Sequence, residues 1–282
     1  CIPTYNRPEL LSDCLDSVIK SIENCKSEIK ILVSDNCSDI NYETVISQKK
    51  KKFPKIKYFR NKKNVKDLNF YLCAKRARTK YVWIFSDDDI MKPDALSKLE
   101  INISNFNNLI VCNYDQYDFK LKKCLKENLI NVNNKTNYKS AENVMIDFGF
   151  RLSFLSCIIF NRSHFLKLPE SIFNKYVKYQ FPFLLSIYFI LHNECNMFFS
   201  KESLLIQRAN QNHADKEWWY RIFVDGSSKV FNFLINMGYS KFSINKARKK
   251  LILNDIISDV VFRKLNNEKL RDKSFLLINK YY

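Results

Sequence analysis

The sequence predicts an α/β protein, with a mostly parallel central sheet flanked by helices and a helical extension at its C-terminal end. Three observations lead there. Strand-like apolar runs alternate with amphipathic helical stretches through residues 1–115. Several of those runs are apolar on both faces, as a parallel sheet covered by helices requires. At 282 residues and 46% apolar content, the chain can bury one sizeable core.

The elements follow in order. CIPT is the tail of a first strand. PELLSDCLDSVIKSI (8–22) places Leu11, Cys14, Leu15, Val18, Ile19 and Ile22 on one helical face, with Pro8 suited to the first turn. EIKILVS (28–34) and KIKYFRN (55–61) read as strands, and DLNFYLCAKRA (67–77) as a helix. KYVWIFS (80–86) is a strand, KPDALSKLEINI (92–103) a helix and NLIVCNY (108–114) a strand. Beyond a polar, Asn-rich stretch near 120–140, SFLSCIIF (153–160) reads as a strand, FPFLLSIYFIL (181–191) as a buried helix and SLLIQR (203–208) as a strand. From Lys216 onward the pattern is helical and amphipathic. The expected organisation is therefore a first half (1–120), a second half of the same domain (121–215) and a helical extension (216–282). The chain opens on Cys1 in mid-strand, so further residues are expected before it.

Composition removes several classes. The nine cysteines are never closer than eleven residues apart, so no CxxC pair exists, and most sit among apolar neighbours. They read as reduced, structural thiols of a cytosolic protein. The longest apolar stretch, 181–191, is too short to span a bilayer. The net charge of +18 points to anionic surroundings, and residues 49–66 hold ten bases and no acid. A solvated lysine-rich face and an anionic membrane surface both account for it. Phe53, Tyr58 and Phe59 fit an ordinary strand as well as a stacking platform, so no nucleic-acid partner is expected. With three glycines, neither GxGxxG nor GxxxxGK can be built. GxSxG and HExxH are absent as well.

The positive signal is SDDD (86–89), directly after the apolar KYVWIF. Ligands of open parallel sheets sit beyond the carboxyl ends of the strands, so these residues should face a crevice. Adjacent carboxylates there need a counter-ion, because repulsion otherwise keeps one protonated. Hard oxygen donors suit Mg²⁺ or Mn²⁺, which commonly take one or two carboxylates plus substrate phosphates. The plainer alternative is a solvated acidic turn before a helix. PTYNR (3–7) and SDNCSD (34–39) sit at corresponding strand ends, where Asp35 could accept from a base or sugar. Each turn alone is ordinary turn chemistry.

Taken together, IPTYNRPELLSDCLDSV, ILVSDNCSD, NKKNVKDLNF and YVWIFSDDDIMKPDAL resemble the family 2 glycosyltransferases of the GT-A fold. They are especially similar to the bacterial, abequosyltransferase-like branch of surface-polysaccharide synthesis. The resemblance implies a GT-A-type, Rossmann-like sheet and a metal-dependent, inverting transfer of a sugar from a nucleotide diphosphate donor. The implied acceptor is a glycan or a polyprenyl-linked oligosaccharide, reached from the cytoplasmic face of a membrane. It further implies that Pro3 and Tyr5 line the base pocket and Asp35 holds the base. Asn64, Lys66, Asp67 and Asn69 would border the nucleotide. Asp88, with Asp87 or Asp89, would grip the ribose and the metal–diphosphate. The acidic run lacks the spacer usual in relatives, and Ser86 stands where many have the first acid. Arg208 and His213, in QRANQNH, lie in a loop that could close over the diphosphate, His213 being a further metal candidate.

Relatives place a catalytic base about ninety residues after the acidic motif, but NKYVKYQFPFLL (174–185) contains no carboxylate. Glu170 and Asp215 are the remaining candidates for the general base. A nucleotidyltransferase, a degenerate transferase domain and a basic nucleic-acid-binding module are the competing readings. The aromatic helix at 181–191 is expected to be core, contact with a lipid-linked acceptor being the alternative.

Overall fold

The computed structural model describes residues 1–104, 107–132, 135–179, 181–209, 221–257, 260, 261 and 265. Strands β1 (Ile2–Thr4), β2 (Ile31–Asp35) and β3 (Ile56–Arg60) form a parallel sheet in that order. Thr4 lies opposite Asp35, and Asp35 opposite Arg60, so the three strands end level. The turns that follow them therefore stand side by side along one edge.

Three helices cover these strands. Helix α1 (Pro8–Ile22) starts on Pro8 and buries Leu11, Cys14, Leu15, Val18 and Ile19, the face its spacing predicts. Helix α2 (Glu43–Lys52) escapes sequence reading because it has almost no apolar face: Ile46 and Lys49 are its buried residues. Its last turn is the lysine run, which complements the negative end of the helix dipole. Lys49 is anchored by Asp16 of α1 at 2.5 Å. Helix α3 (Leu68–Arg76) buries Asn69, Tyr71, Cys73 and Ala74.

The remaining strands form a second sheet. They are β4 (Tyr81–Trp83), β5 (Ile90–Met91), β6 (Leu109–Tyr117), β9 (Ile158–Asn161) and β10 (Met197–Arg208), in the order β4-β9-β6-β10-β5. Short strands β7 (Cys124–Lys126) and β8 (Asn137–Tyr138) pair with β6 and β10. The two sheets are continuous in hydrogen bonding: the Cys1 nitrogen donates to Trp83 O at 2.8 Å, and Phe85 N donates to Cys1 O at 2.9 Å. Parallel pairing holds within β1–β3 and between β6 and β10. Strand β9 enters antiparallel to both β4 and β6, and β5 antiparallel to β10, so the whole sheet is mixed. Apolar periodicity reports burial and carries no record of pairing direction, which is why the sequence shows strands but not their sense.

The stretch before β9 is not a strand: Gly149–Ser153 and Leu155–Cys157 are 3-10 turns. Gly149 has φ +49°, and a Cβ there would stand 3.1 Å from that of Ala247, so the close approach needs glycine. Helices α4 (Ala95–Ser104), α5 (Ala141–Phe148), α6 (Arg162–Phe165) and α7 (Glu170–Val177) complete the cover. Helix α8 (Pro182–Asn193) has nine of twelve residues buried, so it is core, and its apolar run is not an acceptor-facing surface. Helices α9 (Ser227–Met237) and α10 (Lys241–Leu251) lie within the described residues 221–257 that follow β10.

Candidate active site

A cavity of about 500 Å³ opens where the turns after β1, β2 and β3 meet the acidic turn after β4. Its lining includes Pro3, Tyr5, Asn64, Lys66, Asp67, Asn69 and Asp87 from the expected set. Thr4, Arg7, Asn36, Phe70, Ser86, Leu155 and Val177 also line it.

The turns are held in strained shapes. Asn6 (φ 53°), Cys37 (φ 66°) and Lys66 (φ 53°), one in each strand-end turn, adopt the left-handed region that non-glycine residues rarely visit. Such residues persist where the surroundings over-determine them. Here Asn6 N donates to Ser38 Oγ at 2.9 Å, and Lys66 N to Asn64 Oδ1 at 2.9 Å. An amide network fixes the floor. Asn36 donates to Asn64 Oδ1 at 3.0 Å, Asn61 to Asn69 Oδ1 at 2.9 Å, and Asn69 to Ser34 O at 2.9 Å. Arg76 closes it, donating to Ser34 Oγ and to Asn61 Oδ1, both at 2.6 Å.

Asp35 does not line the cavity. Its side chain is fully covered; Oδ1 accepts from Ser38 N and Oγ, and Oδ2 from Tyr58 OH at 2.7 Å. Arg60 Nε lies 3.5 Å from Oδ2. Asp35 thus shapes the turn that carries Asn36, and the carboxylates on the cavity wall are Asp67 and Asp87. Burial pushes Asp67 up to about 7, against the pull of Lys66. It does not cap α3 with its side chain.

The three aspartates of the acidic turn point in different directions. Asp87 is buried, accepts from Thr4 Oγ1 at 2.7 Å, and is paired with Arg7 Nη1 at 3.3 Å. Burial pushes it up to about 6, while Arg7 and Thr4 act to lower it. Asp88 is 29% exposed in its side chain, accepts from Ser86 Oγ at 2.5 Å, and meets the same Arg7 nitrogen at 3.0 Å. Asp89 is buried away from the cavity, where its Oδ1 accepts from Arg208 N at 3.3 Å and its Oδ2 has no partner. Burial, followed by the charge of Asp88, drives it well above the ordinary carboxylate range. Asp87 or Asp89 was expected to act with Asp88; in the structure the residue that shares a cation, the Arg7 guanidinium, with Asp88 is Asp87.

Among the described residues, no three His, Cys, Asp or Glu side chains are placed to hold a metal. Two carboxylates do share one cation, the side chain of Arg7. A single guanidinium nitrogen touches both Asp87 and Asp88, standing where a small cation would be neutralised by the pair. The donor set fits an ion that takes one or two protein carboxylates and draws its other ligands from phosphates and water.

Arg208 is not free to close over a ligand. Its side chain is 7% exposed, and each of its three nitrogens already donates, to Asp88 O (3.0 Å), Phe119 O (2.7 Å) and Asp13 (3.2 Å). It pins the acidic turn to the end of β10. Glu170 is at the first turn of α7, paired with Lys75 at 3.0 Å, and two turns from Val177, the residue of that helix on the cavity. Asp215 and His213 lie outside the described residues. Of the lining residues that sequence reading passed over, Arg7 and Thr4 lay within the flagged PTYNR turn. Leu155 and Val177 come from distant segments that carry no local signal.

A level row of polar strand-end turns and an acidic turn beside them enclose one cavity at the sheet edge, in a fold of the GT-A type. The chain belongs to glycosyl transferase family 2, whose family model matches residues 1–168. It is 36% identical over 115 residues to abequosyltransferase RfbV of Salmonella typhimurium (strain LT2), a match spanning 40% of this chain and 34% of that protein. In structure it resembles S. aureus TarS, with a TM-score of 0.62 at 14% identity over 89% of this chain and 42% of that one. TarS 1–349 in complex with UDP-GlcNAc gives 0.59 at 12% identity, covering 89% and 70%. The mannosyltransferase PcManGT from Pyrobaculum calidifontis, in complex with GDP-Man and Mn²⁺, gives 0.58 at 12% identity, covering 99% and 77%.

Proposed function

We propose that this chain is a sugar transferase that takes a nucleotide diphosphate sugar, with Mg²⁺ or Mn²⁺, and passes the sugar with inversion to a glycan or polyprenyl-linked acceptor. The observation that carries this reading is convergence. The turns after three level strands and the acidic turn line one cavity, and Thr4 of the first turn touches Asp87 of the last at 2.7 Å. Family membership and the names of its relatives support sugar transfer, and PcManGT was solved with both a nucleotide sugar and Mn²⁺.

In this reading Tyr5, 40% exposed on the cavity, offers a face for the base, and Asn36, Asn64 and Asn69 supply a rigid polar floor. Asp67 would accept from a base N–H or a ribose hydroxyl. Asp88, with Asp87 behind it, would hold the cation, which when bound stabilises the leaving diphosphate as a Lewis acid. Arg208 keeps the acidic turn in place from behind. No described carboxylate occupies the expected place of the general base, and Asp215 stays the candidate for it.

Lys50, Lys51, Lys57, Lys62 and Lys63 are exposed, and bases of this kind would favour peripheral contact with an anionic cytoplasmic membrane face. No described helix is long and apolar enough to cross a membrane.

The test is a panel of nucleotide sugars incubated with the parent and with Asp88→Asn, each with Mg²⁺ or Mn²⁺. The parent should turn over at least one of them. The variant should lose about 10²–10³-fold in kcat, the scale of one removed charge stabiliser, with an unchanged unfolding transition. Full turnover by the variant, or no turnover of any donor by the parent, overturns the proposal.

A further inference from the structure

We propose that Arg7 is a resident counter-ion. It holds the cation position between Asp87 and Asp88 in the donor-free protein, and yields it only when a divalent cation arrives together with a nucleoside diphosphate. This rests on the donor-site reading above and goes beyond it in assigning an order of binding and a residue that imposes it.

The argument starts from charge. Adjacent carboxylates, one of them buried, repel one another and need a compensating cation. Among the described residues, Arg7 is the only basic side chain within ion-pair distance of either, and it reaches both through one nitrogen, at 3.3 and 3.0 Å. The protein thus supplies internally what an external metal would otherwise supply.

Arg7 is also built to leave. Its side chain is 48% exposed and lines the cavity, so a rotamer change displaces no core residue. Its backbone is fixed: Arg7 N donates to Tyr42 OH at 2.8 Å, and α1 begins at the next residue. The stem therefore stays at the cavity wall whichever way the guanidinium turns.

Consider a bare divalent cation. To bind, it must break two charge-assisted contacts and leave a tethered positive charge close by with no partner. A cation that arrives with a diphosphate brings its own negative charge. The guanidinium can then exchange two carboxylates for phosphate oxygens, a geometry its planar fork matches. Cation and nucleotide affinities are thereby coupled, and the coupling is reciprocal.

The experiment follows Mn²⁺ uptake by the electron paramagnetic resonance signal of free Mn²⁺, at neutral pH, without nucleotide and with each of UDP, GDP, CDP and dTDP. The proteins are the parent, Arg7→Met, Arg7→Gln and Arg7→Lys, with thermal unfolding as the check on folding. The parent should bind Mn²⁺ alone weakly and bind it tightly with the diphosphate. Arg7→Met should bind Mn²⁺ alone at least tenfold more tightly than the parent, and the gain from adding nucleotide should shrink. Arg7→Lys, which keeps a point charge, should stay near the parent, and Arg7→Gln serves if the Met variant does not fold. Mn²⁺ affinity without nucleotide that is the same in the parent and the neutral variants overturns the role given to Arg7. If no nucleoside diphosphate raises Mn²⁺ uptake by any of the proteins, the donor-site reading itself fails, and the two failures are thus told apart.

Discussion

Asp67 shows how a single side chain is set by its surroundings. It stands on the cavity wall, pushed up to about 7 by burial and held back only partly by Lys66. A carboxyl raised above its unfolded value of about 3.9 contributes stability that is fully present below pH 4 and lost as pH rises through 7. Asp67→Asn removes that loss. The variant should unfold at a higher temperature than the parent at pH 8 and at the same temperature near pH 4. A variant less stable at pH 8 would mean that Asp67 has a stabilising partner when ionised. Occupied by a ligand N–H, the same carboxyl should stay charged, so nucleotide affinity in the parent should fall as pH drops through about 7. Sequence reading named Asp67 and Asp35 together as nucleotide residues. Their different fates, one on the wall and one sealed by Ser38 and Tyr58, depend on hydrogen bonds across strands that no local pattern records.

At the scale of elements, β10 and the acidic turn are tied by Arg208. Its guanidinium satisfies two backbone carbonyls, Asp88 O and Phe119 O, and meets Asp13 on α1. Arg208→Ala should leave both carbonyls unmet and cost about 2–4 kcal/mol, read from the urea midpoint at unchanged slope. Lysine cannot reach three partners with one ammonium, so Arg208→Lys should recover little. An unchanged midpoint in either variant would place the turn's stability elsewhere. Elements with a strong apolar face, such as α1 and α8, were legible from spacing alone. Helix α2 was not, because its register is fixed by one isoleucine and a lysine bound to Asp16.

For the whole molecule, the level ends of β1, β2 and β3 are the decisive feature, since they bring the turns that follow them to one edge beside Asp87. The turns after β1 and β2 and the acidic turn were legible as polar strand ends, whereas the stretch after β3, a strand with only Ile56 buried, entered through the family resemblance alone. The antiparallel entry of β9 and the contribution of Leu155 and Val177 to the cavity were not legible, since both follow from how distant segments fold back on the sheet. The central claim is that this cavity holds a nucleoside diphosphate. It is tested most directly by isothermal titration of UDP, GDP, CDP and dTDP, with Mn²⁺, into the parent and into Tyr5→Ala. At least one should bind the parent, and loss of the ring should weaken it about tenfold or more, the scale of one base–aromatic stack of about 1–3 kcal/mol. Binding of none, or equal binding by both proteins, would contradict it.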